Sequence, residues 1–79
     1  MFLFKVENVF MITGWGLILV PGLGDKYVKA GSAIKLVRPD GSILRTKITG
    51  IIFESHDISI GRDIEKKDVP IGTEVWLDE

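Results

Sequence analysis

The sequence predicts an all-β fold: a small closed or nearly closed antiparallel β-barrel, formed by one domain over residues 1–79. Apolar and polar residues alternate with a period of two, and turns rich in glycine and proline separate the apolar segments. No stretch of the sequence repeats its apolar residues with the 3.6-residue period of an α-helix. Several short strands in so few residues favour a rolled sheet, because closure removes exposed edges.

The N-terminal segment predicts one long half-buried strand that ends at the Gly14–Gly16 turn. A second, fully apolar strand follows at Leu17–Val20. Pro21–Asp25 cannot continue a central strand, since proline lacks a backbone donor and glycine is costly to order. The residues of the first strand that are expected to face the core share one parity: Phe2, Phe4, Val6, Phe10 and Ile12.

The middle of the chain predicts a second strand pair. Ala33–Arg38 alternates, Pro39–Ser42 has the composition of a tight turn, and Ile43–Phe53 returns as a long strand. The inward parity of that long strand switches at Gly50, with Phe53 expected to face inward beyond it. A β-bulge would explain the switch and would bend the strand.

The C-terminal third predicts two more short strands. Ile58 and Ile60 alternate in the first, and Val75 and Leu77 mark the second, after a turn at residues 69–72. Between these strands lies most of the charge, together with the one segment that could form a helical turn, residues 63–67.

Composition narrows the function classes. The 79 residues carry a net charge of −1 and no cysteine. Clustered basic charge is typical of nucleic-acid-binding domains, so the sequence gives no strong nucleic-acid signal. Without cysteine there are no disulfides, thiolate metal sites or Cys nucleophiles. A cytoplasmic location is predicted, and the apolar run Val9–Gly24 is broken by glycine and proline and is too short to predict a membrane helix.

Four landmarks, in order, resemble domain II of translational GTPases, especially that of elongation factor Tu. They are Phe4–Gly16, with its paired glycines, Lys29–Leu36, Ile48–Phe53 and Ile71–Val75. The resemblance spans essentially the whole chain. It implies a Greek-key β-barrel of the translation-protein type, here as a stand-alone domain, which in the parent factors is not an enzyme and contacts aminoacyl-tRNA or the ribosome.

The chain departs from this family at several positions. It contains no G-x-x-x-x-G-K-[ST] loop, so no phosphate-binding loop is predicted. Trp15 stands where the elongation factor Tu-like subfamily has arginine between the paired glycines, and Ile52 replaces an acidic residue that supports the terminal adenosine of tRNA. Pro21 replaces a glycine.

Five residues are candidates for a partner-binding surface. Trp15 sits at a predicted turn tip, where it is either an exposed anchor for binding or a plug over the barrel mouth. Lys26, Tyr27 and Lys29 form a basic-aromatic cluster that could stack on a base, although Tyr27 could equally pack on the barrel. Arg62 opens a charged loop that is either a solvated segment or a contact surface for a protein.

No catalytic residue, cofactor site or metal site is predicted. Ser55, His56 and Asp57 are adjacent, and neighbouring residues of a strand point to opposite faces, so they predict a solvated turn and not a triad. One histidine without cysteine does not make a transition-metal site.

The sequence therefore predicts a non-catalytic binding module with a protein or ribonucleoprotein partner, for which the translation machinery is one candidate. One alternative is an antagonist or immunity-type mimic of a translation-factor domain. Another is a structural subunit that oligomerises through a sheet edge left open by its shortened C-terminus.

Overall fold

A computed structural model describes residues 1–78 as an all-β domain with seven antiparallel strands in one curled sheet. The strand order is β1-β7-β4-β5-β6-β3-β2. In this part of the chain the single helical element is a 3₁₀ turn, Lys66–Asp68. The strands are β1 Phe2–Lys5, β2 Asn8–Ile12, β3 Gly16–Val20, β4 Ala33–Val37, β5 Ile43–Ile51, β6 Ile58–Ile60 and β7 Glu74–Leu77.

The outer strands of the sheet order, β1 and β2, are consecutive in the chain. Only Val6 and Glu7 separate them, so one bent segment pairs with β7 at its start and with β3 at its end. Val6 donates its N–H to the Thr73 carbonyl at 2.8 Å, and Glu7 donates to the Val20 carbonyl at 2.8 Å. This one segment therefore supplies the strands at both ends of the sheet order.

The core lies inside the curl and is aliphatic. Leu17, Leu19, Ile34, Leu36 and Ile48 are fully buried there, and the described part of the chain leaves no buried side-chain nitrogen or oxygen without a hydrogen bond. Ile18 is also buried but lies outside the core cluster, because it belongs to the opposite face of β3. Its cross-strand neighbours are Phe10 and Ser59.

The predicted strands from β3 to β7 are confirmed. So is the bulge beside Gly50: the register between β5 and β6 shifts between Ile48 and Gly50. β5 nevertheless ends at Ile51, and the prediction that Phe53 faces inward is wrong. Phe53 lies in a turn and is 91% exposed.

The prediction of one continuous first strand is also wrong. Its parity holds for Phe4 and Val6, which are buried, but not for Phe2, which is 40% exposed beside an irregularity in the β1–β7 register. The parity then reverses after the bend at Val6 and Glu7. Beyond the bend Val9 faces the core, while Phe10 and Ile12 are exposed. The reason is that a bend between two strands changes which alternate residues point inward.

The predicted open edge at the C-terminus is not found. β7 pairs with β1 on one side and with β4 on the other. Its Trp76 packs edge-to-face on Phe2, with ring centroids 5.4 Å apart. The unpaired edges of the sheet therefore belong to β1 and β2.

Candidate aromatic binding face

Apolar side chains form a continuous exposed surface on one side of the domain. We define the aromatic face as Ile12, Trp15, Tyr27, Ile51 and Phe53. The exposed fraction is 91% for Phe53, 81% for Tyr27 and 49% for Trp15. Scattered apolar residues are ordinary at a surface, but adjoining exposed aromatic residues mark interaction sites.

Trp15 is held on this face by the tight turn that joins β2 to β3. The Trp15 N–H donates to the Ile12 carbonyl at 3.0 Å, and Gly14 takes the positive φ of +88° that such a turn requires. Arg62 clamps the turn from outside, since its Nη2 donates to the Gly14 carbonyl at 2.8 Å. The indole therefore projects from a turn that is tied to the segment after β6.

The Trp15 ring lies over Gly50 on the outer surface of the sheet. A Cβ at Gly50 would stand 3.5 Å from Trp15 Cζ3 and 3.0 Å from Ser59 Oγ. An added Cβ would therefore be in ordinary contact with the ring, and its tight approach would be to the Ser59 hydroxyl. Of the two positions considered for Trp15, the structure gives a half-exposed ring on the sheet surface, outside the core cluster.

Three shallow clefts connect the aromatic face. The first, of about 340 Å³, lies between Trp15 and Arg62 above Gly50. The second, of about 380 Å³, has Trp15 and Phe53 as walls, with Ile12 beside them. The third, of about 360 Å³, lies on the other side of Phe53. Trp15 and Phe53 are shared between neighbouring clefts, so the three form one surface.

The third cleft is lined mainly by apolar side chains. Leu23, Val28, Ile51 and Phe53 line it, and Tyr27 stands at its rim. One wall is the loop after β3, and the other is the end of β5 with the turn that follows it. The cleft therefore depends on how the loop is fixed against the turn.

His56 fixes that loop. Its backbone takes the left-handed conformation, φ 61°, which is uncommon for a residue other than glycine. The His56 carbonyl accepts the Leu23 N–H at 2.9 Å, and its Nδ1 donates to the Gly24 carbonyl at 2.5 Å. Because a carbonyl only accepts, Nδ1 carries a proton and Nε2 is the ring atom left for other contacts.

The charges around the aromatic face are of both signs. Asp25 and Lys26 flank the third cleft, Glu54 borders the second, and Arg62 borders the first. This arrangement lacks the one-signed stripe that attracts a phosphate backbone. It suits the polar rim of a protein interface.

The structure groups four of the five predicted surface residues. Trp15 and Arg62 line the first cleft together, and Lys26 and Tyr27 line the third. Lys29 is exposed but lines none of these three clefts. Sequence reasoning missed Phe53, which its strand pattern had placed in the core.

The structure of the Ser55–Asp57 segment agrees with the predicted exposed turn. The Ser55 hydroxyl accepts the Asp57 N–H at 3.4 Å, and His56 bonds to Gly24 instead of to either neighbour. Within residues 1–78, no three His, Asp or Glu side chains lie close enough together to hold a metal ion. The same residues include no helix long and apolar enough to cross a membrane.

No protein-family model, curated protein or solved structure matches the chain.

Proposed function

We propose that this chain is a non-catalytic binding module of the cytoplasm whose aromatic face docks a protein, free or within a ribonucleoprotein. The observation that carries the proposal is the exposure of Phe53 and Tyr27 beside the half-exposed Trp15 on one connected surface. Large aromatic residues are the side chains on which protein interfaces most often depend.

The energetics favour a binding role for these side chains over a folding role. A buried aromatic side chain covers about 150–250 Å², and each Å² of apolar surface removed from water stabilises by about 25 cal/mol. Phe53 withdraws little surface from water on folding, since it is 91% exposed. Nearly all of its apolar surface is available to a partner.

A protein partner fits the charges better than a nucleic acid does. Lys26 and Arg62 are accompanied by Asp25 and Glu54 around the same surface, and the whole chain has a net charge of −1. Binding to a phosphate backbone would need an excess of cations and would weaken steeply with salt. We expect the affinity for the protein partner to change little with salt.

The proposal includes a nearly closed Greek-key barrel of the translation-protein domain II type, in which β1 and β2 keep unpaired edges. Support comes from the strand order, in which β3 to β4 and β6 to β7 cross over neighbouring strands, and from the short β1–β2 link between the two ends of the sheet. The landmarks that resemble elongation factor Tu fall on these elements. Gly14 lies in the turn before β3, Gly16 begins β3, and Gly50 lies at the bulge of β5.

Affinity capture with the purified chain, followed by mass spectrometry, identifies the partner. Titration calorimetry then measures its affinity for the wild type and for Phe53→Ala and Trp15→Ala. Each substitution is expected to cost about 2 kcal/mol, which is a loss of about 30-fold. The matched control is Ile71→Ala, which truncates an apolar residue that is 60% exposed and lines none of the three clefts.

Two results would contradict the proposal. One is equal binding by the wild type and both face variants, and the other is an equal loss with Ile71→Ala. The identity of the captured partner separates the remaining alternatives: ribosomal proteins or translation factors favour a translation role, and a single toxin or effector favours the antagonist role.

A further inference from the structure

The second cleft, between Trp15 and Phe53, differs from its two neighbours in charge. Within residues 1–78, Glu54 is the one charged residue that lines it, and its other walls are apolar or aromatic. The first cleft is lined by the cation Arg62, and the third is lined by charges of both signs. Of the three clefts, the second therefore presents negative charge alone to a partner.

The Glu54 carboxylate is not neutralised by another part of the domain. Among the described residues, no hydrogen bond or ion pair joins it to a side chain or to the backbone. Glu54 is exposed in the turn after β5, so water can solvate it in the free chain. A partner that covered the cleft with an apolar group would remove this water and leave the charge uncompensated, which is costly. The cleft therefore favours a cationic guest.

The two aromatic walls favour a cation as well. The face of an aromatic ring attracts a positive charge, and indole does so most strongly. Trp15 is 49% exposed and Phe53 is 91% exposed, and no contact joins their rings in this part of the chain. Neither ring covers the other, so the cleft offers two open π surfaces beside one carboxylate.

The backbone holds both walls of the cleft in place before a guest arrives. Arg62 clamps the turn that carries Trp15 through a hydrogen bond of 2.8 Å. The opposite turn, residues 52–57, is closed by the His56 N–H, which donates to the Ile52 carbonyl at 2.8 Å. A site that is already ordered loses less conformational entropy on binding.

We propose that the second cleft receives an arginine side chain of the protein that docks on the aromatic face. The planar guanidinium stacks against Trp15 and donates hydrogen bonds to the Glu54 carboxylate. Lysine suits the cleft less well, because its ammonium ion is strongly hydrated and has no planar face. This inference rests on the proposed function, since it names the chemistry of the partner at the same surface.

NMR titration of the ¹⁵N-labelled chain with the blocked tripeptide glycyl-arginyl-glycine tests the cleft directly. The chain contains two tryptophans, so it has two indole N–H signals. The Trp76 indole N–H donates to Glu74 at 3.0 Å and serves as the internal reference. We expect the Trp15 signal to shift with a dissociation constant of about 1–10 mM, because one side chain buries little surface. A Trp15 signal that stays unchanged, or a shift confined to Trp76, would overturn the proposal.

The matched control peptide replaces arginine with citrulline, which has the same planar shape and no charge. It should bind about 5-fold to 30-fold more weakly, because it lacks both the attraction to the ring and the ion pair with Glu54. Equal affinities of the two peptides would show that the cleft does not select a cation. Tighter binding of a trimethyllysine peptide than of the arginine peptide would assign the cleft to a quaternary ammonium group instead.

Variants of Glu54 test the carboxylate. Glu54→Gln should weaken binding of the arginine peptide by about 2-fold to 5-fold and leave binding of the citrulline peptide unchanged. Glu54→Lys should abolish the shift of the Trp15 signal. Glu7→Lys is the matched control, because it makes the same change in net charge at an exposed residue that lines none of the three clefts. Circular dichroism confirms that each variant is folded, and an equal loss with Glu7→Lys would overturn the role of Glu54.

The captured partner separates this inference from the proposed function. Partner binding that is weakened by Trp15→Ala and Phe53→Ala but unchanged by Glu54→Lys would overturn the arginine contact and leave the docking face standing. Partner binding that is unchanged by Trp15→Ala and Phe53→Ala would contradict the proposed function itself, whether or not the arginine peptide binds.

Discussion

Gly22 is the position at which the structure predicts the largest effect of adding a single carbon atom. A Cβ at Gly22 would lie 2.7 Å from Asp57 Cα and even closer to the backbone carbonyl of His56. Both obstacles are backbone atoms, so no side chain can rotate away. Gly22 also has a φ of +88°, a conformation that is strained for an L side chain. We therefore expect Gly22→Ala to force apart the loop after β3 and the turn after β5.

The cost has two parts. The left-handed conformation contributes about 1–2 kcal/mol, and overpacking against fixed atoms adds about 1–3 kcal/mol. The total of about 2–5 kcal/mol is large, because a chain of 79 residues is stable by only about 4–12 kcal/mol. Gly24→Ala is the matched control. Gly24 also has a positive φ, of +62°, but a Cβ there would meet nothing within 4 Å.

Urea unfolding, followed by far-ultraviolet circular dichroism, measures both variants. Gly24→Ala should lose only the conformational part, about 1–2 kcal/mol. With a urea dependence of about 1 kcal/mol/M, the two midpoints should differ by about 1–3 M. Equal midpoints for the two variants would refute the close approach of residue 22 to the backbone at His56, and with it the described wall of the third cleft.

Three further outcomes are expected. Hydrogen bonds from the Ser42 hydroxyl at 2.6 Å and from the Ser42 N–H at 2.9 Å lower the pKa of Asp40, so Ser42→Ala, which removes the hydroxyl, should raise it, as an NMR titration of the Asp40 carboxyl would show. The stability contributed by the lowered pKa is present above the ordinary carboxyl pKa and is lost as the pH falls through the folded value. Leu36→Ala, at a fully buried position, should lower the free energy of unfolding by about 2–5 kcal/mol in urea titrations. Arg62→Ala should cost at most about 1–2 kcal/mol but should speed amide hydrogen exchange in the Thr13–Trp15 turn, because it removes the side chain that clamps this turn.

The elements that sequence reasoning predicted well are those whose boundaries are set by local chemistry. Pro39 and Gly41 lie in the turn of the hairpin between β4 and β5, and the Arg38 N–H closes this turn by donating to the Ser42 carbonyl at 2.8 Å. Gly50 marked the bulge, because the inward parity had to change there. In both cases a residue with an unusual backbone preference stands where the chain turns or bends.

The N-terminal strand was predicted less well, because nothing in its local composition marks the bend. Val6 and Glu7 include neither glycine nor proline, and the bend follows from pairing with strands distant in the chain: Val6 bonds to Thr73 and Glu7 to Val20. A parity argument assumes one continuous strand, so it fails beyond such a bend. The exposure of Phe10 and Ile12, and with it the apolar edge of β2, was therefore not predicted.

Phe53 shows why the aromatic face was only partly predicted. A phenylalanine that continues the inward parity of a strand is usually buried, and the sequence prediction for Phe53 followed this average. Here β5 stops at Ile51, since the Ile52 N–H donates to the Asp57 carbonyl at 2.9 Å and the His56 N–H returns to the Ile52 carbonyl at 2.8 Å. These bonds form a turn that carries Phe53 out into solvent. The backbone hydrogen bonds that form this turn do not involve the Phe53 side chain, so they persist when Phe53 is replaced. Replacing Phe53 should therefore alter binding far more than folding.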